Sequence, residues 1–242
     1  MTQGVTRAPR RAYEHVTVEP AGGGFAVRLD DKPLKTPGGR PVVVPWPALA
    51  EAIAAEWRAQ GAKPHMAGLS MTRIAATALD RIPSRRAGVL DELLAYAETE
   101  LVCHRADGPS ELVTRQQATW QPLLDWLAQQ FDAPLAATSG VLPRPQPEAS
   151  LKALRHMLEG LDDFSLAGLS VAVASAGSLV IALALLERRI DATQAFDAAE
   201  LDATYQIEQW GEDAIAAQRR AELRGELETA ERYLRLRPEP VS

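Results

Sequence analysis

The side chains able to do chemistry are few and scattered. Four histidines, His15, His65, His104 and His156, show no HxxxH spacing and no neighbouring cysteine pair, so a zinc site lacks its ligands. The lone cysteine, Cys103, excludes an intramolecular disulfide and fits a reducing compartment. Neighbours in extended chain point to opposite faces, so Cys103-His104 reads as a buried structural thiol beside an exposed imidazole, not as a dyad. The carboxylate pairs Asp162-Asp163 and Glu212-Asp213 are the right type for acid–base work, but at helix ends such pairs serve as caps and solvated charge. No GxSxG, CxxC, HExxH or dinucleotide fingerprint occurs. Gly22-Gly23-Gly24 lacks the following Gly-Lys-Ser/Thr of a phosphate loop and reads as a hairpin turn. These residues argue against an enzyme and call for no cofactor or metal.

One segment stands out instead. From Asp191 to Asp213 the chain carries acids and no Lys or Arg. Asp191-Ala192-Thr193-Gln194 has the form of a capping box. Phe196, Ala199, Ala203, Ile207, Trp210 and Ala214 recur every three or four residues, which predicts one core stripe. On the opposite side lie Leu201, Tyr205, Glu208 and Glu212, flanked by Asp202, Gln206 and Asp213. A helix apolar on two faces either sits between two layers or offers one face to a partner. On the second reading Leu201, Tyr205 and their carboxylate rim form a docking patch for a basic partner. Gly211 costs a helix about 1 kcal/mol against Ala, which suggests a close backbone approach there.

The elements that position this segment change character along the chain. His15–Glu19 and Phe25–Leu29 alternate about the glycine turn, Asp30-Asp31 makes a second turn, and Val42–Val44 follows: a small antiparallel meander. From Trp46 the period is helical, with Trp46, Leu49, Ile53 and Trp57 on one stripe ended by Gly61. Helices are expected over Met71–Ile82 and from Pro83-Ser84 to Leu101, then an extended Leu101–Arg105. Another carries Val113, Trp120, Leu124, Leu127 and Phe131, with a kink or restart at Pro122. Leu135–Pro147 is irregular, and helices follow. The fold class is α+β, a small N-terminal antiparallel β-rich domain followed by a mainly α-helical orthogonal bundle. The expected division is a disordered tail at 1–12, an α+β domain at 13–100, a helical domain at 101–237 and a tail at 238–242.

Composition agrees. The 242 residues, 46% hydrophobic and 24% charged, are ordinary for a globular protein and need no disulfide to hold a core. A net charge of −6 argues against a duplex nucleic-acid binder. Phe164–Leu186 is uncharged and long enough to span a membrane, but Ala, Gly and Ser dilute it and Gly177-Ser178 looks like a break. A buried helical pair is the better reading.

Seven short motifs together resemble a known family. They are Gly24-Phe25-Ala26-Val27 with Leu29-Asp30-Asp31-Lys32-Pro33-Leu34-Lys35-Thr36-Pro37, Leu49–Trp57, Met71-Thr72-Arg73-Ile74-Ala75, Leu101–Arg105, Trp120–Trp126, Gly177–Leu185 and Tyr205-Gln206-Ile207-Glu208-Gln209-Trp210-Gly211. In that order they are similar to the assembly chaperones of F-type ATP synthase, the ATP-twelve family, from Arg11 to Leu236. The resemblance implies a non-enzymatic, monomeric chaperone of the cytoplasm, or of the mitochondrial matrix in a eukaryote. Its partner would be the free alpha subunit of the catalytic head, whose interface it shields until the beta subunit arrives. Leu201, Asp202, Tyr205, Gln206, Glu208 and Glu212 are then the client-binding candidates, and Trp57, Trp210 and Gly211 structural motif residues. Family members often read Leu-Glu-Glu where this chain has Leu201-Asp202-Ala203, so the acidic role falls to Asp202 or Glu208. Glu212-Asp213-Ala214, without histidine, resembles alpha-proteobacterial members. The competing readings are a small-molecule hydrolase with a site between the two domains and a membrane-anchored interaction protein.

Overall fold

A computed structural model describes residues 11–62, 65, 68–139 and 144–238, so nearly all of both expected tails lies outside the described residues. The described residues form two compact units: one runs to Pro83 and includes Leu236–Pro238, the other is Ser84–Arg235.

In the first unit β1 (Val16–Ala21) pairs antiparallel with β2 (Gly24–Leu29), from Val16 opposite Leu29 to Ala21 opposite Gly24. Gly22 and Gly23 connect them at φ 40° and 91°, the positive-φ pair that a tight hairpin needs to match strand twist. β3 (Lys32–Pro33) and β4 (Val43–Val44) also pair antiparallel with β2. The Asp30 carboxylate accepts the His15 and Glu14 N–H groups at 2.8 and 3.0 Å, and these bonds hold it below the usual carboxylate range.

α1 (Pro47–Arg58), begun by proline at its first position, buries Leu49, Ala50, Ile53 and Ala54 and packs on the sheet. Its Glu56 reaches the start of α2 (Ser70–Asp80), accepting the Met71 N–H, the Thr72 N–H and the Thr72 hydroxyl at 2.6, 2.9 and 2.8 Å. The next residue, Trp57, is half-buried; its indole N–H donates to Thr72 Oγ1 at 3.1 Å and its carbonyl accepts the Tyr13 hydroxyl at 2.7 Å. At the far end of α2, Asp80 accepts Thr36 Oγ1 and the Gly38 N–H, both at 2.8 Å. The Leu29–Pro37 motif is therefore a pair of carboxylate-pinned turns.

α3 (Ile82–Glu98) leaves helical dihedrals at Arg85 (φ −129°, ψ 16°). Beyond that break Arg86 bonds the Leu161 carbonyl, and Asp91 the Arg155 guanidinium. The units accordingly divide at 83/84, and α3 goes mostly with the later helices instead of ending the first domain. Leu101–Cys103 is a 3-10 turn, not extended chain; the two-residue β5 (His104–Arg105) after it runs parallel to β6 (Thr138–Ser139). α4 (Ser110–Phe131) passes through Pro122 as one helix, without the expected restart.

After α5 (Glu148–Glu159), the uncharged run divides into α6 (Asp163–Ala176) and α7 (Leu179–Leu186) at Gly177, φ 65°. Every residue of α7 is buried, and among the described residues no helix is long and apolar enough to cross a membrane. α7 packs against α4, α6, α8 (Ala192–Ala199) and α10 (Ala214–Arg235), which closes the unit after α9 (Leu201–Trp210). Where α10 crosses α6, a Cβ on Gly168 would lie 2.7 Å from the Tyr233 ring and 2.6 Å from Leu234. The absent side chain sets that crossing.

Glu100, fully buried, supplies the acceptor for the α7 N-terminus. It takes the Ser178 hydroxyl and the Leu179 and Val180 N–H groups, the latter two at 3.0 and 3.2 Å. Burial raises its carboxyl to about 7 against the lowering pull of these donors. The folded chain thus binds an extra proton between the unfolded value near 4.5 and about 7. Stability from this group falls as pH rises through that window and is level above it. Denaturant titrations at pH 5 and pH 8 check this: Glu100→Gln should reduce the wild-type difference. Glu100→Ala strands buried donors and should cost about 3 kcal/mol. Trp57→Arg removes the Thr72 bond and the packing on Tyr13; a loss of about 3 kcal/mol is expected, and an unchanged melting curve would refute it.

Candidate functional site

The acidic segment is two helices, not one. Asp191 and Gln194 form the expected capping box at the start of α8, with bonds of 2.8 and 3.0 Å. The chain then breaks at Glu200 (φ −103°, ψ 18°), and Gly211 ends α9 at φ 84°, ψ 170°. A Cβ on Gly211 would meet nothing within 4 Å, so glycine serves the backbone conformation and not a close approach.

The break rotates the faces. Along the expected core stripe Phe196 is buried, Ala199, Ala203 and Ile207 are half-buried, and Trp210 is 80% exposed. Trp210 is therefore not a core residue. The opposite face is the packed one: Leu201 and Tyr205 are buried and lie toward α4. There Gln116, itself buried, accepts the Ala106 N–H and donates to Asp202 Oδ1, both at 2.8 Å. Arg115 bonds Glu208 at 2.7 Å with its guanidinium 5.4 Å from the Tyr205 ring centre. Trp120, from the same helix, donates its indole N–H to the Ala198 carbonyl at 2.8 Å. Leu201, Asp202, Tyr205 and Glu208 therefore belong to the joint between α9 and α4. From sequence their carboxylates look like a docking rim because the matching Arg115 and Gln116 lie far away in the chain.

Gln206 and Glu212 fall elsewhere, on a groove of about 630 Å³ between α9 and α10. Ala203, Ile207 and Trp210 line one wall; Ile215, 82% exposed, Ala216 and Leu223 line the other. Arg220 sets the spacing of the walls. It bonds Glu200 at 2.9 Å, Thr204 Oγ1 at 2.9 Å and Glu212 at 3.2 Å, and its guanidinium stands over Phe196. Asp213 caps α10 through the Ile215 and Ala216 N–H groups at 2.9 and 3.0 Å. Ile215, Arg220 and Leu223 were missed from the sequence, where the only signal was Gly211 as a break between two helices.

Cys103 is buried and His104 exposed, as expected, and burial with the nearby Glu100 pushes the thiol up to about 12. Among the described residues no group of three or more His, Cys, Asp or Glu could hold a metal ion. The α9–α10 groove leaves Trp210 and Ile215 open to solvent.

Comparison with known proteins decides the family. The model of the ATP12 chaperone protein matches residues 10–128. The crystal structure of Atp12 from Paracoccus denitrificans is 38% identical, covers 94% of this chain and 97% of its own, and superposes with a TM-score of 0.91. The chain belongs to the ATP12 chaperone family. The Atu1473 protein of Agrobacterium tumefaciens is 36% identical, with a TM-score of 0.88 over 94% of this chain and 85% of its own. Protein atp12 of Schizosaccharomyces pombe, a mitochondrial protein, is 23% identical over 85% of this chain and 75% of its own. The family model stops before α5; the structural relatives extend the match through most of the chain, α+β architecture included. ATP12 chaperones act in ATP synthase assembly.

The α9–α4 joint yields a direct test. Tyr205→Ala with Glu208→Lys opens a buried site and places a second cation beside Arg115. A loss of about 3 kcal/mol in denaturant unfolding is expected. A double mutant as stable as wild type would mean that this face is not packed in solution.

Proposed function

We propose that this ATP12-family chain binds the unassembled alpha subunit of the ATP synthase catalytic head and shields its interface until the beta subunit replaces it. The observation that carries the reading is the Trp210–Ile215 groove, an apolar surface left open between two helices that Arg220 ties together. A free ring subunit exposes a large apolar interface, which is an aggregation hazard. Tryptophan is among the residue types that carry most of the energy of protein–protein contacts. Such a contact stays small enough for the final partner to displace. The chain acts as a monomer in the compartment where the head is assembled.

The test uses purified alpha subunit diluted from denaturant, followed by light scattering. Equimolar chaperone should suppress the scattering by at least half, and added beta subunit should take the client into an alpha–beta complex without the chaperone. Scattering that stays unchanged at a several-fold excess of chaperone rules the reading out.

A further inference from the structure

The groove also carries information about what fills it. We infer that the α9–α10 groove takes an amphipathic helix of the client, apolar along one stripe and basic on its flanks. The inference rests on the proposed alpha-subunit client and deepens it.

Three observations converge. The α9 wall presents Ala203, Ile207 and Trp210 at spacings of four and three, and the α10 wall Ile215, Arg219 and Leu223 at spacings of four. Those spacings are the ones a third helix uses when its ridge enters the groove between two others. The stripe reads from sequence as core because it is half of a core: two helices of a three-helix packing, with the third missing. Trp210 and Ile215 stay about four-fifths exposed on walls that are otherwise fixed.

The backbone narrows the occupant further. Both walls are helices, and neither presents a strand edge for a client strand to extend. Recognition must come from side chains laid on side chains. At the lip, Glu200, Glu212 and Asp213 stand against Arg219 and Arg220, three acids to two bases. The neighbouring stretch from Asp191 onward adds acids without a Lys or Arg. A helix with Lys or Arg beside its apolar stripe matches this field; an acidic one is repelled.

The buried Cys103 makes the test clean. Ile215→Cys introduces the one accessible thiol, which takes an environment-sensitive fluorophore or a photo-cross-linker on the full chain. Titration with purified alpha subunit should shift the dye emission to the blue. Cross-linking should map to a client segment that is helical, apolar on one face and flanked by Lys or Arg. Trp210→Glu, at an exposed site, should leave the melting temperature unchanged and weaken client binding at least tenfold. If the wild type protects the alpha subunit and Trp210→Glu protects it equally, the groove is not the docking site while the functional reading stands. Cross-links confined to a strand or an acidic segment overturn the occupant alone. If the wild type gives no protection at all, both readings fall together.

Discussion

A helix apolar on every side can be placed only in an interior, and there its first N–H groups have no water to turn to. α7 is such a helix, and the helical unit is packed around it. Ser178 caps the N–H of Ile181 at 3.0 Å, but its own hydroxyl and the N–H groups of Leu179 and Val180 need a further acceptor. Glu100 provides it from the end of the segment after α3. An empty site would leave them all unpaired in a dry interior. The burial of this carboxylate is thus a consequence of burying α7, and α4, α6, α8 and α10 take their places against the helix so anchored.

The same device recurs in the first unit, where Glu56 on α1 holds the N-terminus of α2. In both cases a carboxylate distant in sequence does the work of a local cap. The Met71–Ala75 and Gly177–Leu185 motifs begin at the helix starts held this way, while nothing local in the sequence pairs Glu56, inside Leu49–Trp57, or Glu100 with those helix starts. Local patterns were legible: the alternation of Phe25–Leu29, the positive-φ glycines, the break at Gly177 and the capping box at Asp191 each depend on neighbours within a few residues. What was not legible depends on partners far along the chain. Pro122 does not break α4, because a long helix packed along its length tolerates one missing bond.

The reversal of α9 has the same origin. Ile207 and Trp210 on one face, Leu201 and Tyr205 on the other, are equally good core residues by type and spacing. The break at Glu200 turns α9 relative to the stripe that Phe196 begins, and α4 then selects which face is covered. Gln116 and Arg115 match Asp202 and Glu208 while Tyr205 slides under the Arg115 guanidinium. Apolar pattern alone cannot make that choice; complementary polar groups on a distant helix make it. Asp202 and Glu208 are therefore engaged by α4 of the same chain.

That division of labour bears on how a groove can bind and still let go. Arg220 fixes α9, the Gly211 turn and α10 with one guanidinium that is itself four-fifths buried. Little conformational entropy is then lost at the groove when a helix docks, so a modest apolar contact suffices for affinity. On the proposed function the client contact is confined to one groove, so it need not reach the roughly 1,600 Å² of a standard stable interface. A partner that offers the client a larger complementary surface wins by mass action without any switch in the chaperone. On the proposed function, a preorganised groove supplies the binding and its limited extent the release, and both follow from leaving one helix out of a three-helix core.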